Sequence, residues 1–272
     1  MKKVRYKDQN KKNYKKILIV LGMIVAFGLL GGYFYFANSL QAQERQQRVC
    51  KDIRITIKDS LINNYTDEGE IRGLIRDNFD DHIGAQIDKI DYYGIEKLLN
   101  NSNAIKKSEV YLTNDGTLCV DVIQRRAIVR VIQDKDYYID EDGYTLTLKK
   151  GLTPDLPIIK GSIPVNFKEL QRGLSEDKND QEWIAQVVNL AKYLEENSTW
   201  NSLIDTFVVR NRDMKIVPAV GTQSINFGTF TSDEIDEKFQ KLEAFYTSII
   251  PNVGWDKYSS VDLQFKNQIV CK

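Results

Sequence analysis

The sequence predicts an α+β protein made of one transmembrane helix and two compact modules that follow it. The observations behind this are an uncharged apolar stretch near the N-terminus, a run of elements in the order β-α-α-β-β, and a second region in which strand and helix patterns mix. The expected division is a basic tail at 1–16, a transmembrane helix at 17–36, a linker at 37–49, a first module at 50–132 and a second module at 133–272.

The membrane span is predicted from length and charge. Residues 17–36 include no charged side chain, and at ~1.5 Å rise per residue they cross the roughly 30 Å hydrocarbon core of a bilayer. Aromatic residues at 33–36 close the stretch, as is typical at headgroup level. Eight basic residues and one acid precede it, so we expect the N-terminus in the cytoplasm and the rest of the chain exported.

A cleaved signal peptide is the alternative interpretation of the same stretch. Residues 37–39, Ala-Asn-Ser, resemble a small-x-small cleavage site. The apolar regions of signal peptides run about 7–15 residues, and this stretch is longer and follows a long charged segment. The length therefore favours an uncleaved anchor.

Charge and cysteine usage exclude some classes of function. The formal net charge is zero, which does not suggest a nucleic-acid surface, and the basic cluster adjoins a membrane span.

The cysteines at 50, 119 and 271 are odd in number and far apart. At least one must stay unpaired unless it bridges to another chain, and no zinc or CxxC motif is formed. We expect small thiols that are buried or partly exposed.

The first module is predicted from alternation and from one turn. Isoleucine at every second position over 53–57 indicates a strand, and helices are expected to start near Thr66 and Asp91. Two alternating runs then flank Asn-Asp-Gly at 114–116. This is a strong hairpin signal because glycine accepts a positive φ.

The second module mixes helices with short strands. A helix is predicted over 180–197 from an apolar stripe at helical spacing, and successive strands are predicted over 203–228. Thr231 and Glu234 have the spacing of a capping box at the start of a further helix, which Pro251 is expected to end.

Three consecutive acids, Asp140, Glu141 and Asp142, precede a glycine and raise the question of a calcium loop. The calcium-loop pattern would place its first ligand at Tyr138 and its last at Lys149, and neither is a carboxylate. Strand-like segments lie on both sides. The acids are therefore predicted to be solvated residues of a turn.

Motifs for catalysis are not found in the sequence. His82, the single histidine, is expected to be a solvated loop residue, and there is no nucleophile elbow, dinucleotide loop or Walker loop. Arg125 and Arg126 are adjacent in a strand and face opposite sides, so they should not form a joint anion clamp. We expect one to pack on the sheet and the other to meet solvent or an acid. No cofactor, metal, small-molecule substrate or enzymatic activity is expected.

The closing segment is the candidate binding element. Apolar and polar residues alternate over 261–266, and a strand of this kind at a sheet edge could accept a partner strand through its unpaired main-chain groups. The alternative is that the strand only completes its own sheet. The candidate partner-binding residues are Tyr258, Ser259, Ser260, Val261, Asp262, Leu263, Gln264 and Phe265.

The sequence resembles the FtsQ/DivIB family of bacterial cell-division proteins, especially members from Bacteroidetes-like bacteria, over nearly the whole chain. The resemblance rests on the order and spacing of "VDVIQRRAIVRVI", "YYIDEDG", "LPIIKG" and "KFQKLEAFY…GWDKYSSVDLQFKNQIVC". The chain departs from the family at Ala127, where many members have proline, and at Gln124, where glutamate is common. Both positions belong to the strand scaffold.

The resemblance implies a POTRA-like first module and a β-domain as the second. It implies a non-enzymatic scaffold of the divisome in the inner membrane at the septum, with its bulk in the periplasm. Binding of FtsB-like and FtsL-like proteins would link early and late septum assembly. In the family a strand of FtsB docks near the last strands, which correspond here to 258–265, and the POTRA module and span are connected with recruitment through partners such as FtsK.

The alternatives to this function are a general periplasmic assembly or secretion factor and a membrane-tethered periplasmic enzyme. A POTRA-bearing periplasmic assembly or secretion factor would be expected to carry several such modules or a membrane barrel, and one module is predicted here. A membrane-tethered periplasmic enzyme would need a cleft with convergent polar groups.

Overall fold

The structure is a computed structural model that describes residues 3–46, 49–60, 64–79, 82–149 and 151–272. The chain forms two compact units. Unit 1 comprises Met1–Arg54, Arg76–Ile95 and Val110–Val120, and unit 2 comprises Ile55–Ile75, Glu96–Glu109 and Asp121–Lys272. The domain limits expected from the sequence remain predictions.

A single long helix, α1, runs over Lys3–Gln46. Within it, Leu18–Ser39 has a mean hydropathy of 2.1 and is long and apolar enough to cross a membrane, by length and composition alone. The predicted apolar helix is confirmed. The helix also continues beyond the apolar stretch into the segment expected to be a linker, as far as Gln46.

The predicted order β-α-α-β-β is confirmed in the elements that follow. A three-stranded sheet has the strand order β1-β3-β2. A short 3₁₀ turn at Ile87–Lys89 precedes the second helix. The bounds are β1 Asp52–Ile57, α2 Glu68–Asn78, α3 Tyr92–Asn100, β2 Ile105–Leu112 and β3 Thr117–Gln124.

The turn between β2 and β3 requires the glycine that predicted it. Gly116 has φ +92°, and a Cβ there would lie 2.9 Å from the carbonyl oxygen of Val49. Its N–H donates to Thr113 O at 3.1 Å, and the Thr113 N–H donates to Thr117 O at 2.9 Å. Any other residue would meet both backbone strain and a steric clash.

Unit 2 contains a nine-stranded sheet in the order β12-β11-β10-β9-β8-β7-β4-β5-β6. Five helices accompany the strands along the chain. The strands are β4 Ala127–Ile132, β5 Asp136–Asp140, β6 Thr145–Leu146, β7 Ile158–Gly161, β8 Ile204–Arg210, β9 Asp213–Pro218, β10 Ser224–Gly228, β11 Ser260–Asp262 and β12 Val270–Cys271. The helices are α4 Phe167–Leu170, α5 Lys178–Glu196, α6 Ser198–Leu203, α7 Ile235–Ala244 and α8 Ile250–Val253.

The core of unit 2 is built from the sheet and from the apolar stripes of α5 and α7. The stripe predicted on α5 is confirmed, since Trp183, Val187, Ala191 and Leu194 are all buried. Phe239 of α7 is fully buried and stacks on Tyr193 of α5 at 4.8 Å between ring centroids. Aromatic rings of this size contribute a large part of the apolar area that a domain buries.

The capping box predicted at the start of the helix after Thr231 is confirmed. The side chains of Thr231 and Glu234 each accept a hydrogen bond from the backbone N–H of the other residue. The prediction that Pro251 ends this helix is wrong. The chain continues through a π-helical turn at Phe245–Ile249 into α8, where the proline occupies the first turn. A proline fits there because its missing N–H would have no intrahelical partner.

Candidate partner-binding surface at the C-terminal strands

The strand within 258–265 does not lie at the sheet edge, so of the two interpretations the structure contradicts the one that makes it an edge strand. Only Ser260–Asp262 forms the strand β11, and it is paired on both sides. It runs parallel to β10 and antiparallel to β12, with Val261 opposite Cys271. The chain reverses near Asn267, whose φ is +59°, and the last residues return beside β11.

The edge is therefore β12, and its main chain shows which groups are open. Lys272 donates its N–H to Ser260 O at 3.0 Å and accepts from the Ser260 N–H at 3.0 Å. In an antiparallel pair, the residue next to such a hydrogen-bonded pair directs its own N–H and C=O to the other side. The N–H and C=O of Cys271 thus point outward, where a further strand could bind them. Burial raises the pKa of the Cys271 thiol, which packs against the core.

The side chains of 258–265 divide into buried and accessible ones. Val261 and Leu263 are fully buried and act as core residues. Phe265 is 45% exposed and is therefore not a core residue. Ser259 and Gln264 are exposed, and Tyr258 is half-buried. The structure thus brings only some of the predicted residues to the surface.

An aromatic group adjoins this edge. Tyr258 lies 6.4 Å from Phe245 and Tyr246 lies 5.8 Å from Trp255, measured between ring centroids, and Phe245 contacts Tyr246. Trp255 is 50% exposed, and its carbonyl oxygen accepts a hydrogen bond from Gln223 Nε2 at 2.7 Å. We call the surface formed by β12, Tyr258, Trp255 and Tyr246 the C-terminal surface.

Sequence reasoning missed three parts of the C-terminal surface, namely β12, Trp255 and Tyr246. A strand of two residues is too short to show an alternating pattern. Trp255 stands in the closing motif "GWDKY", and a tryptophan in a polar, glycine-containing loop is a signal that could have pointed to it.

The acidic cluster is a turn, as predicted: Gly143 donates its N–H to Asp140 O at 3.0 Å. The prediction that its acids are solvated is wrong for Asp140, which is 1% exposed. Its carboxylate accepts the N–H groups of Asp142 and Tyr144 at 2.9 and 2.8 Å and bonds Arg125 at 2.7 Å. The carboxylate is therefore a structural group inside the turn.

Arg125 and Arg126 each form an ion pair with a different acid of this turn. Arg125 lies over the Tyr144 ring at 3.3 Å from its centroid and pairs with Asp140. Arg126 pairs with Glu141 at 3.2 Å and also with Glu195 of α5. Hydrogen bonds from Lys106 and then from Arg126 lower the pKa of the Glu141 carboxyl. As predicted, the arginines do not share an anion; each serves as a structural ion-pair partner.

His82 is buried, against the expectation of a solvated loop residue, and its ring lies 6.1 Å from that of Phe79. Lys238 is also buried, and its ammonium group donates to the carbonyl oxygens of Phe227 and Thr229 at 2.7 and 2.9 Å. Burial lowers the pKa of that lysine. Within the described part of the chain, no group of three or more His, Cys, Asp or Glu residues could hold a metal ion.

Comparison with known families gives the class of protein and then the family. A model for the POTRA-like domain matches residues 48–123, so the chain combines an N-terminal apolar helix, a POTRA-like domain and a β-rich C-terminal domain. A second model, described as FtsQ/DivIB, C-terminal related, matches residues 126–272. The chain belongs to the FtsQ/DivIB family. No match was found among the curated proteins.

Proposed function

We propose that the chain is a non-enzymatic scaffold of the divisome that is anchored in the bacterial inner membrane. Its N-terminus lies in the cytoplasm and its two folded domains lie in the periplasm, where it binds FtsB-like and FtsL-like proteins at the septum. The observation that carries the proposal is the family match over 126–272, which includes the whole C-terminal surface. The apolar helix at Leu18–Ser39 supports the anchor.

The partner binds by adding a strand to β12. This edge offers the N–H and C=O of Cys271, and two hydrogen bonds contribute about 1–3 kcal/mol together. A micromolar complex needs about 8 kcal/mol, so the main chain alone is far from sufficient. The aromatic side chains beside the edge must supply most of the difference, since exposed Trp and Tyr are the residue types that dominate interface energies. Trp255 and Tyr258 are the anchors in this proposal.

Among the residues at 258–265, the proposed direct contacts are therefore Tyr258 and Ser259. The buried residues Val261 and Leu263 position β11, which in turn holds β12 in register. The family match favours this scaffold over a general assembly factor. FtsK-like recruitment through the POTRA-like domain is a further part of the proposal.

The test is site-specific photo-crosslinking of the full-length chain in cells. A photoreactive residue is placed at Trp255 or at Ser259, with Leu174 as a matched control because it is 62% exposed and lies outside the C-terminal surface. Crosslinks from both test positions to small single-span division proteins, with none from Leu174, are the expected result. If Leu174 gives the same products, or the test positions give none, the proposed site is wrong.

The division role has its own test, which does not depend on the binding site. Depletion of the protein should give filaments or chains of undivided cells. Normal division after depletion would contradict the role, whatever the crosslinking shows.

A further inference from the structure

A turn in unit 1 is bonded to Val49 and Cys50, the first residues after α1 that the structure describes. Gly84 donates its N–H to Cys50 O at 2.7 Å, and Cys50 donates its N–H to Ala85 O at 2.9 Å. Val49 forms a β-bridge with Gln86. The turn that includes Gly84 is thus bonded to Val49 and Cys50. It cannot move away from these residues without breaking the bonds.

Two large apolar or aromatic side chains stand exposed at this place. Ile83 is 52% exposed and Tyr93 is 74% exposed. The segments that carry them both meet Phe79: its ring lies 6.1 Å from that of His82, which precedes Ile83, and a Cβ on Gly94, which follows Tyr93, would lie 3.0 Å from the Phe79 ring. The absent side chain at Gly94 therefore lets the start of α3 approach Phe79 closely.

The short length of chain between the apolar span and the turn keeps the turn near the bilayer. Helix α1 continues for seven residues beyond Ser39, which is about 10 Å at 1.5 Å per residue. The residues at 47–49 add at most about 11 Å even if fully extended. Val49 therefore lies within about 21 Å of the end of the apolar span, and its β-bridge to Gln86 places the turn about 5 Å farther at most. A tilt of the helix brings the turn closer.

We propose that Ile83 and Tyr93 insert into the headgroup region of the bilayer that α1 crosses, so that unit 1 rests on the membrane surface. Tyrosine favours this region because its ring is apolar and its hydroxyl remains hydrated. Two side chains would bind lipid weakly on their own. Here α1 holds them at a high effective concentration, so a weak contact is enough to set the orientation.

Lipid is the proposed occupant because the two side chains belong to the same compact unit as α1. The contact is apolar, and Asp80 and Asp81 precede it in the sequence. It should therefore form with zwitterionic phosphatidylcholine and should not require anionic lipid. It depends on α1 being a membrane anchor and is independent of the division role.

The test uses the full-length chain in phosphatidylcholine proteoliposomes. A nitroxide spin label is attached at Ile83→Cys or at Tyr93→Cys in a Cys271→Ser background, where Cys50 and Cys119 are buried. Val220→Cys is the matched control, since Val220 is 64% exposed and belongs to unit 2. Power saturation then compares how often each label collides with oxygen, which concentrates in lipid, and with a water-soluble nickel chelate.

The expected result is a shift toward oxygen accessibility at 83 and 93 and preferential nickel accessibility at 220. If the labels at 83 and 93 are as open to the nickel chelate as the label at 220, the proposal is overturned. Cleavage of α1, seen as labelled protein of lower mass in the soluble fraction, would overturn it too.

Discussion

Replacing Asp140 should be among the most damaging single changes in unit 2. The carboxylate is 1% exposed, accepts two backbone N–H groups and neutralises Arg125, whose side chain is 11% exposed. Asp140→Ala leaves that buried cation without its partner and two N–H groups without an acceptor. Removal of one partner of a buried ion pair costs about 3–5 kcal/mol, against a total stability of roughly 5–15 kcal/mol.

The assay is thermal unfolding of the full-length chain in detergent, followed by circular dichroism. For a domain of this size, about 3–5 kcal/mol corresponds to a fall in Tm of about 6–20 °C. The matched control is Asp142→Ala in the same turn. That side chain is 52% exposed and pairs with Lys106 at the surface, so its loss should cost under about 1 kcal/mol.

A second variant separates the ion pair from the turn geometry. Asp140→Asn keeps an acceptor for the two N–H groups and removes only the charge. In an Arg125→Met background the same change should cost much less than it does in the native chain, because coupled residues are not additive. If Asp140→Ala lowers Tm no more than Asp142→Ala does, the structural role assigned to the buried carboxylate is refuted.

Three further predictions concern stability, pH and binding. Leu263→Ala should lower the free energy of unfolding by about 2–5 kcal/mol because Leu263 is fully buried. Phe265→Ala should change it by under about 0.5 kcal/mol. Equal effects of the two variants in denaturant titrations would contradict the difference in burial between Leu263 and Phe265. The pKa of Glu141 is lowered in the folded state, so its stabilising effect is full above the unfolded pKa and is lost as pH falls through the lowered folded value. The stability gap between the native chain and Glu141→Gln should therefore be constant at neutral pH and close in acid, and a gap that persists there would refute the assignment. Trp255→Ala should weaken partner binding about tenfold or more with an unchanged Tm, as measured by co-purification and thermal unfolding; full retention of the partner would remove Trp255 from the site.

Local chemistry predicted much of the fold. The hairpin at Gly116 and the capping box at Thr231 are encoded by neighbouring residues, and the stripe on α5 follows from helical spacing. Each of these signals lies within a few residues of the structure that it predicts. This is why the order of elements and the fold class could be predicted from the sequence.

Two of the wrong predictions depend on contacts between residues that are well separated in the sequence. Asp140 is buried because Arg125, fifteen positions away, pairs with it. The strand β11 is internal because the last residues of the chain return beside it. The Pro251 prediction failed for a local reason: the chain passes through a π-helical turn and continues as α8, which holds the proline in its first turn. None of these arrangements changes the local pattern of apolar and polar residues, so periodicity alone could not show them.

The most direct test of the proposed binding mode removes a single outward-facing hydrogen-bond donor. Cys271→Pro deletes the N–H that points away from β11, whereas the bonds between Lys272 and Ser260 remain; proline is tolerated on an edge strand when its nitrogen faces solvent. Cys271→Ser, which keeps the N–H, is the control, and thermal unfolding confirms that both variants fold. Strand addition predicts that the full-length native chain and Cys271→Ser retain the FtsB-like and FtsL-like proteins on co-purification and that Cys271→Pro loses them. Equal retention by Cys271→Pro would contradict strand addition at β12.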